Sequence, residues 1–157
     1  MQDVLYCKPE ISGIRDSWIS TRHRLFGSIC YFADLDYVLT EADNMNDSAF
    51  RGMEYYNNQP VALIEYKHYS HNGDTTHPSF QALAYMADKC QIPAFLVRYN
   101  PEQYTYLVKP LNKYAQAVPW CQSEKLFSEK NYVKLMYWLR KQVCPPQVLA
   151  RLEGEKK

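Results

Sequence analysis

The segment Pro60–His68, PVALIEYKH, constrains the fold of this chain more than any other stretch of the sequence. Residues i and i+2 of a strand share a face, so Val61 and Leu63 lie on one face and Ala62 and Ile64 on the other. A strand that is apolar on both faces belongs in the middle of a sheet that helices cover. The segment therefore predicts an α/β domain.

The other patterns along the chain alternate between helix and strand, which predicts a single domain with a mixed central sheet of about four to five strands flanked by helices. Predicted helices cover residues 11–26, 77–90 and 128–143, and predicted strands cover residues 28–40, 60–66, 92–99 and 104–109. Residues 41–59 are predicted to form a long hairpin connection with a short helical piece at 47–56. We expect one domain over residues 1–157, with its core at 11–143 and a C-terminal tail at 144–157. CPP ends the last long helix, and a short, frayed helix with a charged end is predicted after it.

Composition excludes several classes of protein. A length of 157 residues fits one domain with a sizeable core. The net charge of +1 gives no global attraction to nucleic acid, so a polyanion site must come from local clustering. Five scattered cysteines without a CxxC pair indicate reduced thiols in a cytoplasmic protein. No apolar stretch is long enough to span a bilayer, so we expect no membrane partner.

Charged side chains stand where an apolar strand would be expected to continue. Glu65 and Lys67 lie two residues apart and therefore project together, and Asp34 and Asp36 do the same in the preceding predicted strand, ADLDYVL. If these two strands pair as a hairpin, Asp36 approaches Glu65, and two carboxylates with an open side form a hard oxygen site suited to Mg²⁺. A lysine beside them can steady an attacking water or offset charge on a phosphoryl group.

This arrangement resembles the PD-(D/E)xK nuclease superfamily, which has the restriction-endonuclease-like fold. The matching elements are Asp36 and then IEYK, with Glu65 and Lys67, and a helix precedes and follows the two strands. HRLFG, DLDYVL and PVALIEYKH together resemble uncharacterised, phage-type members. The resemblance covers residues 11–110, and it implies that Asp36 and Glu65 bind the metal with the carbonyl of Tyr66 and that Lys67 is the catalytic lysine.

Two further residues complete the predicted catalytic set. Gln81, in HPSFQ, matches the P..Q found in some branches of the superfamily and could hydrogen-bond toward the metal or a phosphate. It could equally be a neutral helix residue. Asp36 is preceded by Leu35 rather than by proline, and Asp34 competes with it or acts as a second metal ligand.

Basic residues near the predicted site give candidates for contact with nucleic acid. Arg22, His23 and Arg24 are predicted to border the cleft, and His68 directly follows the catalytic lysine. Ordinary surface charge is the alternative meaning of this basic face. A zinc site built from the histidines of HYSH is disfavoured because their spacing matches no common zinc pattern.

These observations predict a Mg²⁺-dependent nuclease, with Mn²⁺ able to substitute and DNA as the expected substrate. Two-fold pairing into a homodimer would suit an enzyme that cuts both strands of a duplex. The alternative is a nuclease-like fold without catalysis that binds nucleic acid or inhibits another protein. A purely structural subunit is the third possibility.

Overall fold

A mixed sheet of six strands organises the part of the chain that the computed structural model describes, residues 17–34 and 49–156. The strands are β1 (Tyr31–Asp34), β2 (Ala49–Tyr56), β3 (Gln59–His68), β4 (Ala94–Asn100), β5 (Thr105–Pro110) and β6 (Lys125–Ser128). They lie side by side in chain order, and neighbouring strands are antiparallel except for the parallel pair β3 and β4. The predicted α/β class is confirmed, with six strands instead of about four to five.

Helices flank this sheet and carry clear start signals. They are α1 (Ser17–Arg24), α2 (Pro78–Cys90), α3 (Lys113–Gln116), α4 (Glu129–Leu139) and α5 (Pro146–Gly154). Pro78 occupies the first turn of α2, and the Ser128 side chain accepts a hydrogen bond from the Asn131 amide at the start of α4, as the sequence predicted. No helix within the described residues is long and apolar enough to cross a membrane.

The two faces of the sheet are covered by different helices. On one face, α1, α4 and α5 enclose the larger core, in which Ile19, Tyr132 and Leu152 are buried. On the other face, α2 covers a smaller cluster that contains Leu63 and Leu83. β3 contributes to both cores, which agrees with its prediction as a central strand apolar on two sides.

The predicted helical piece at 47–56 is wrong for the residues that the structure describes, because Ala49–Tyr56 forms strand β2. This strand pairs with β1 on one side and with β3 on the other, so two ladders of backbone hydrogen bonds stabilise the extended conformation. Asn57 and Asn58 connect β2 to β3, both with positive φ, at 51° and 61°. Such a pair is typical of a two-residue hairpin turn. A bulge between Glu54 and Tyr55 then shifts the register of the remaining pairs by one residue.

The end of α4 differs from the prediction, because this helix ends at Leu139 and not at Val143. The short helix predicted after CPP is present as α5. Val148 and Leu152 of this helix are buried in the larger core, so α5 is part of the packed structure. Residues 11–16, at the start of the first predicted helix, lie outside the described residues.

Candidate functional site

Strand β3 presents the predicted pair of charges on the side of the sheet that α2 covers. Alternation along the strand places Leu63, Glu65 and Lys67 on one face. Leu63 packs there in the cluster that includes Leu83 and Ala87 of α2. Glu65 and Lys67 extend the same face toward the carboxyl end of β3, and the expectation that they project together agrees with their contact, described next.

Two cations contact the carboxylate of Glu65. Arg51 of β2 is its direct partner in the strand register, and it donates from Nη2 to Oε1 at 2.8 Å and from Nε to Oε2 at 3.2 Å. Lys67 Nζ lies 3.5 Å from Oε1. Arg51 and Glu65 are both 0% exposed and Lys67 is 4% exposed, so the three charges form a buried cluster.

The geometry of this cluster explains how the charges can be buried together. The planar guanidinium of Arg51 matches the two oxygens of Glu65, which gives two parallel, charge-assisted hydrogen bonds. Removing one partner of such a buried pair typically costs about 3–5 kcal/mol, because the remaining charge is left without compensation. Glu65 is therefore tightly held in the conformation described.

The predicted direct pairing between the aspartate strand and the glutamate strand is wrong in the described part of the chain. β1 pairs with β2, and β2 lies between β1 and β3. The backbone of Asp34 is opposite Gly52 of β2, so it belongs to a strand two positions from Glu65. Residues 49–56, predicted as part of the connection, insert as a strand of their own. Asp36 and the side chain of Asp34 lie outside the described residues, and their predicted metal contacts stay predictions.

The cluster around Glu65 does not fit a divalent cation as it stands. Mg²⁺ prefers hard, anionic oxygen ligands in near-octahedral geometry. Both oxygens of Glu65 instead accept hydrogen bonds from Arg51, and Lys67 adds a second positive charge. Across residues 17–34 and 49–156 there is no group of three His, Cys, Asp or Glu side chains that could hold a metal ion. A metal at Glu65 would require Arg51 to withdraw and a further acid to approach.

The side chain of Tyr66 points away from Glu65 and Lys67, and that of Gln81 is exposed. Tyr66 projects to the opposite face of the sheet, where its hydroxyl lies 2.6 Å from that of Tyr132. Burial raises the pKa of Tyr66 well above its usual value, so the hydroxyl stays protonated at neutral pH. The predicted metal contact of Tyr66 concerned only its backbone carbonyl. Gln81 is exposed in the first turn of α2.

Arg22 and His23 do not lie on a surface that nucleic acid could reach. Arg22 is buried and donates to both carboxylate oxygens of Glu129, at 2.8 Å and 2.6 Å. His23 is also buried, and its Nε2 contacts the carboxylate of Glu54. Their prediction as residues that border a nucleic-acid cleft disagrees with this burial. The helix turns these side chains inward, because α4 and β2 supply carboxylates for them.

Arg24 and His68 are half-buried and remain candidates for contact with nucleic acid. His68 Nδ1 lies 2.9 Å from the hydroxyl of Ser70, within the turn that follows β3. The neighbouring histidines have local roles. His71 Nδ1 accepts a hydrogen bond from the Gly73 amide at 3.0 Å, and His77 Nδ1 accepts one from the Ser79 amide at 3.2 Å. His77 thus caps the start of α2.

Sequence reasoning missed Arg51 and Glu54, which both belong to β2. Glu54 is fully buried and contacts His23 from α1 and Arg140 from the end of α4. Burial alone would raise the pKa of Glu54, but the charges of His23 and Arg140 outweigh it and hold the pKa below its usual value of 4.5. The signal that could have found both residues is the Asn57–Asn58 turn, since a hairpin there makes residues 49–56 a strand.

Comparisons with protein-family models, with curated proteins and with solved structures found no match for this chain. The assignment to the PD-(D/E)xK superfamily therefore stays a prediction that depends on the motif and on the position of β3.

Proposed function

We propose that this protein is a nuclease-type enzyme that hydrolyses phosphodiester bonds of nucleic acid, with DNA as substrate and Mg²⁺ as cofactor. The observation that carries the proposal is the contact between Glu65 and Lys67, a buried carboxylate and ammonium 3.5 Å apart on the central strand. Helix α1 precedes the three strands β1 to β3, and helix α2 and then strands β4 and β5 follow β3, which supports the resemblance noted from the sequence.

Energetics favour a chemical role for these charges. Desolvating charged groups is costly, and well-packed apolar side chains in place of a buried ion pair are often equally stable or more stable. Buried ionisable groups with specific charge partners are common at active sites, where the chemistry needs them despite their cost in stability. In the proposed reaction, the ammonium of Lys67 would offset negative charge that develops on the phosphoryl group. Glu65 would serve as a metal ligand only once Arg51 has withdrawn.

The ion pair between Arg51 and Glu65 favours a second candidate, a nuclease-like domain that does not cleave. Such a domain would bind nucleic acid or inhibit another protein while Arg51 permanently neutralises Glu65. This candidate predicts no gain of activity with any divalent metal. A homodimer belongs to the first proposal only, and light scattering coupled to size-exclusion chromatography would test it.

A cleavage assay separates the two candidates. Supercoiled plasmid and labelled single-stranded and duplex oligonucleotides would be incubated with Mg²⁺, with Mn²⁺ or with EDTA. We expect metal-dependent cleavage by the native protein and a loss of at least about 100-fold in Lys67→Met, because a transition-state charge contact is removed. Glu65→Gln and Asp36→Ala should lose activity as well.

Lys89→Met provides the matched control. Lys89 lies exposed in the last turn of α2, where its ammonium is 5.2 Å from the ring centre of Tyr85, so its removal changes the net charge equally without touching the cluster. Circular dichroism would confirm that each variant is folded. Native-level cleavage by Lys67→Met, or metal-independent binding without cleavage by the native protein, would contradict the proposal, and the latter result would support the second candidate.

A further inference from the structure

Two exposed tryptophans meet on the solvent side of α4. Trp120, in the segment between α3 and β6, is 51% exposed, and Trp138, near the end of α4, is 42% exposed. Their ring centres lie 6.3 Å apart at an interplanar angle of 73°, which is an edge-to-face contact. A pair of large aromatic rings that stays in contact with water is typical of a binding surface.

The backbone of Trp120 points in the same direction. Its φ is +68°, in the left-handed region that a bulky side chain rarely adopts. Strained backbone of this kind is concentrated at binding and active sites, where function and not stability selects the conformation. Because half of the Trp120 ring remains exposed, burial of the ring does not explain the strain.

The solvent face of α4 is basic. Lys130, Lys134 and Trp138 are exposed and follow one another at intervals of four residues, so they form one stripe along the helix. Residues 125–143 contain a single acid, Glu129, and this carboxylate is buried in an ion pair. The stripe therefore carries positive charge and attracts polyanions.

Two acids near this stripe are paired with other cations. Glu124, just before β6, contacts Arg98 at 3.0 Å. Glu153 lines the same cleft as Lys130, and its carboxylate lies 2.6 Å from the ammonium of Lys156. These pairs reduce the negative charge that a polyanion would meet beside the stripe.

Positive charge and flat rings together fit single-stranded nucleic acid. Lysines contact its phosphates, and aromatic rings stack on bases that are not paired in a duplex. The stripe from Lys130 to Trp138 is about 12 Å long at about 1.5 Å of rise per residue, and about four nucleotides at about 3.4 Å each span that length. An anionic bilayer is the weaker fit, because three of the four exposed positions within α4 are polar, whereas a helix that lies on a membrane has a broad apolar face.

We propose that the surface formed by Trp120, Lys130, Lys134 and Trp138, called the α4 surface below, binds single-stranded nucleic acid. The tryptophans stack on bases, and the lysines contact phosphates. Every nucleotide offers both groups, so this surface binds single strands without reading their sequence.

The α4 surface is separate from the proposed cleavage site. α4 belongs to the helices that enclose the larger core, whereas Glu65 and Lys67 lie on the face of the sheet that α2 covers. The inference therefore goes beyond the proposed function, and it holds with or without cleavage at Glu65.

Fluorescence anisotropy of labelled oligonucleotides would test this inference on the full chain, in EDTA so that metal-dependent cleavage cannot occur. We expect the native protein to bind a single strand of about ten nucleotides more tightly than a duplex of the same sequence. Trp120→Ala and Trp138→Ala should each bind the single strand at least about tenfold more weakly, a loss of about 1.4 kcal/mol in binding free energy for one stacking contact.

The salt dependence of binding tests the lysines separately from the rings. The double variant Lys130→Gln with Lys134→Gln should bind the single strand more weakly than the native protein. Its slope of log affinity against log salt concentration should fall by about 1.4, because each phosphate contact on a single strand contributes about 0.7. An unchanged slope would show that these lysines do not contact phosphates.

Tyr85→Ala and Lys89→Gln are the matched controls. Tyr85 is 63% exposed on α2, and the ammonium of Lys89 lies 5.2 Å from the centre of its ring, so α2 also carries an exposed ring beside a lysine. We expect native affinity for the single strand in both variants, because α2 covers the other face of the sheet. Circular dichroism would confirm that each variant is folded.

The outcomes separate this inference from the proposed function. No binding of the single strand by the native protein, equal binding of duplex, or native affinity in both tryptophan variants would overturn the inference, even if the native protein cleaves nucleic acid. Binding of vesicles that contain phosphatidylserine, without binding of oligonucleotides, would also overturn it and assign the surface to an anionic membrane. Weaker binding in the tryptophan variants, with native affinity in the controls, would support it. If no metal then produces cleavage, the proposed function fails alone.

Discussion

Replacing Glu54 tests whether buried charge networks hold the helices of this protein to its sheet. Glu54 of β2 contacts His23 of α1 and Arg140 beyond the end of α4, and all three side chains are buried. Glu54→Gln preserves the shape of the side chain but removes its charge. Arg140 would then stay in the protein interior without a counter-ion, and an amide group would face its guanidinium and the ring of His23.

The expected magnitude follows from the burial of this network. Removing one partner of a buried ion pair costs about 3–5 kcal/mol, so we expect a loss in that range from the pair with Arg140. For a protein of this size the melting temperature should fall by roughly 2–4 °C per kcal/mol. With a urea dependence of about 2 kcal/mol per molar, the unfolding midpoint should fall by roughly 1.5–2.5 M.

Glu124→Gln provides the control. Glu124 also pairs with an arginine, at 3.0 Å from Arg98, but its side chain is 38% exposed. An exposed pair contributes only about 0–1 kcal/mol, so this variant should unfold close to the native midpoint. Urea unfolding would be followed by circular dichroism and by tryptophan fluorescence, whose coincidence supports a two-state transition. A Glu54→Gln protein within about 1 kcal/mol of the native free energy of unfolding would refute the reasoning.

Two further predictions concern pH and backbone conformation. The pKa of Glu54 lies below its unfolded value of 4.5, so its stabilising contribution is present above pH 4.5 and is lost as the pH falls through the folded pKa. The difference in urea midpoint between the native protein and Glu54→Gln should therefore narrow between pH 5 and pH 3, and a constant difference would contradict the assignment. Gly27→Ala should lower the free energy of unfolding by about 2–4 kcal/mol in thermal melts, because φ is +114° and a Cβ would collide with the Tyr137 hydroxyl. Gly154→Ala is the control, because a Cβ there meets nothing within 4 Å, and it should leave the free energy of unfolding nearly unchanged. Equal losses of this free energy in the two variants would show that the predicted collision at Gly27 is relieved.

Local patterns were sufficient to predict the elements whose determinants lie within a few residues. The two-sided apolar pattern of β3 identified it as a central strand, and it contributes to both cores. Pro78 and Ser128 identified the starts of α2 and α4 because capping is decided within one turn of helix. The pairing of Glu65 with Lys67 followed from the strand period alone.

Long-range partners could not be predicted in the same way. Glu54 contacts His23 across 31 residues of sequence and Arg140 across 86, and no local pattern specifies such a pairing. Arg51 was missed for a different reason. Its opposition to Glu65 depends on the register of the β2–β3 hairpin, and a shift of one residue would place it on the other face. The turn at Asn57–Asn58 predicts the hairpin but not this register, because a bulge between Glu54 and Tyr55 shifts the pairing by one residue.

The two buried glutamates of the hairpin also show why the functional proposal concerns Glu65 and not Glu54. Glu54 joins β2 to α1 and to the end of α4, so its ion pairs connect elements that are far apart in the chain, and a structural role explains its burial. Glu65 contacts Arg51 on the adjacent strand and Lys67 on its own strand, and backbone hydrogen bonds already hold these strands together. Its ion pairs therefore connect no new elements, while apolar side chains at these three positions would avoid the desolvation of three charges. For this reason the proposed function assigns a chemical role to Glu65 and Lys67 and not to Glu54.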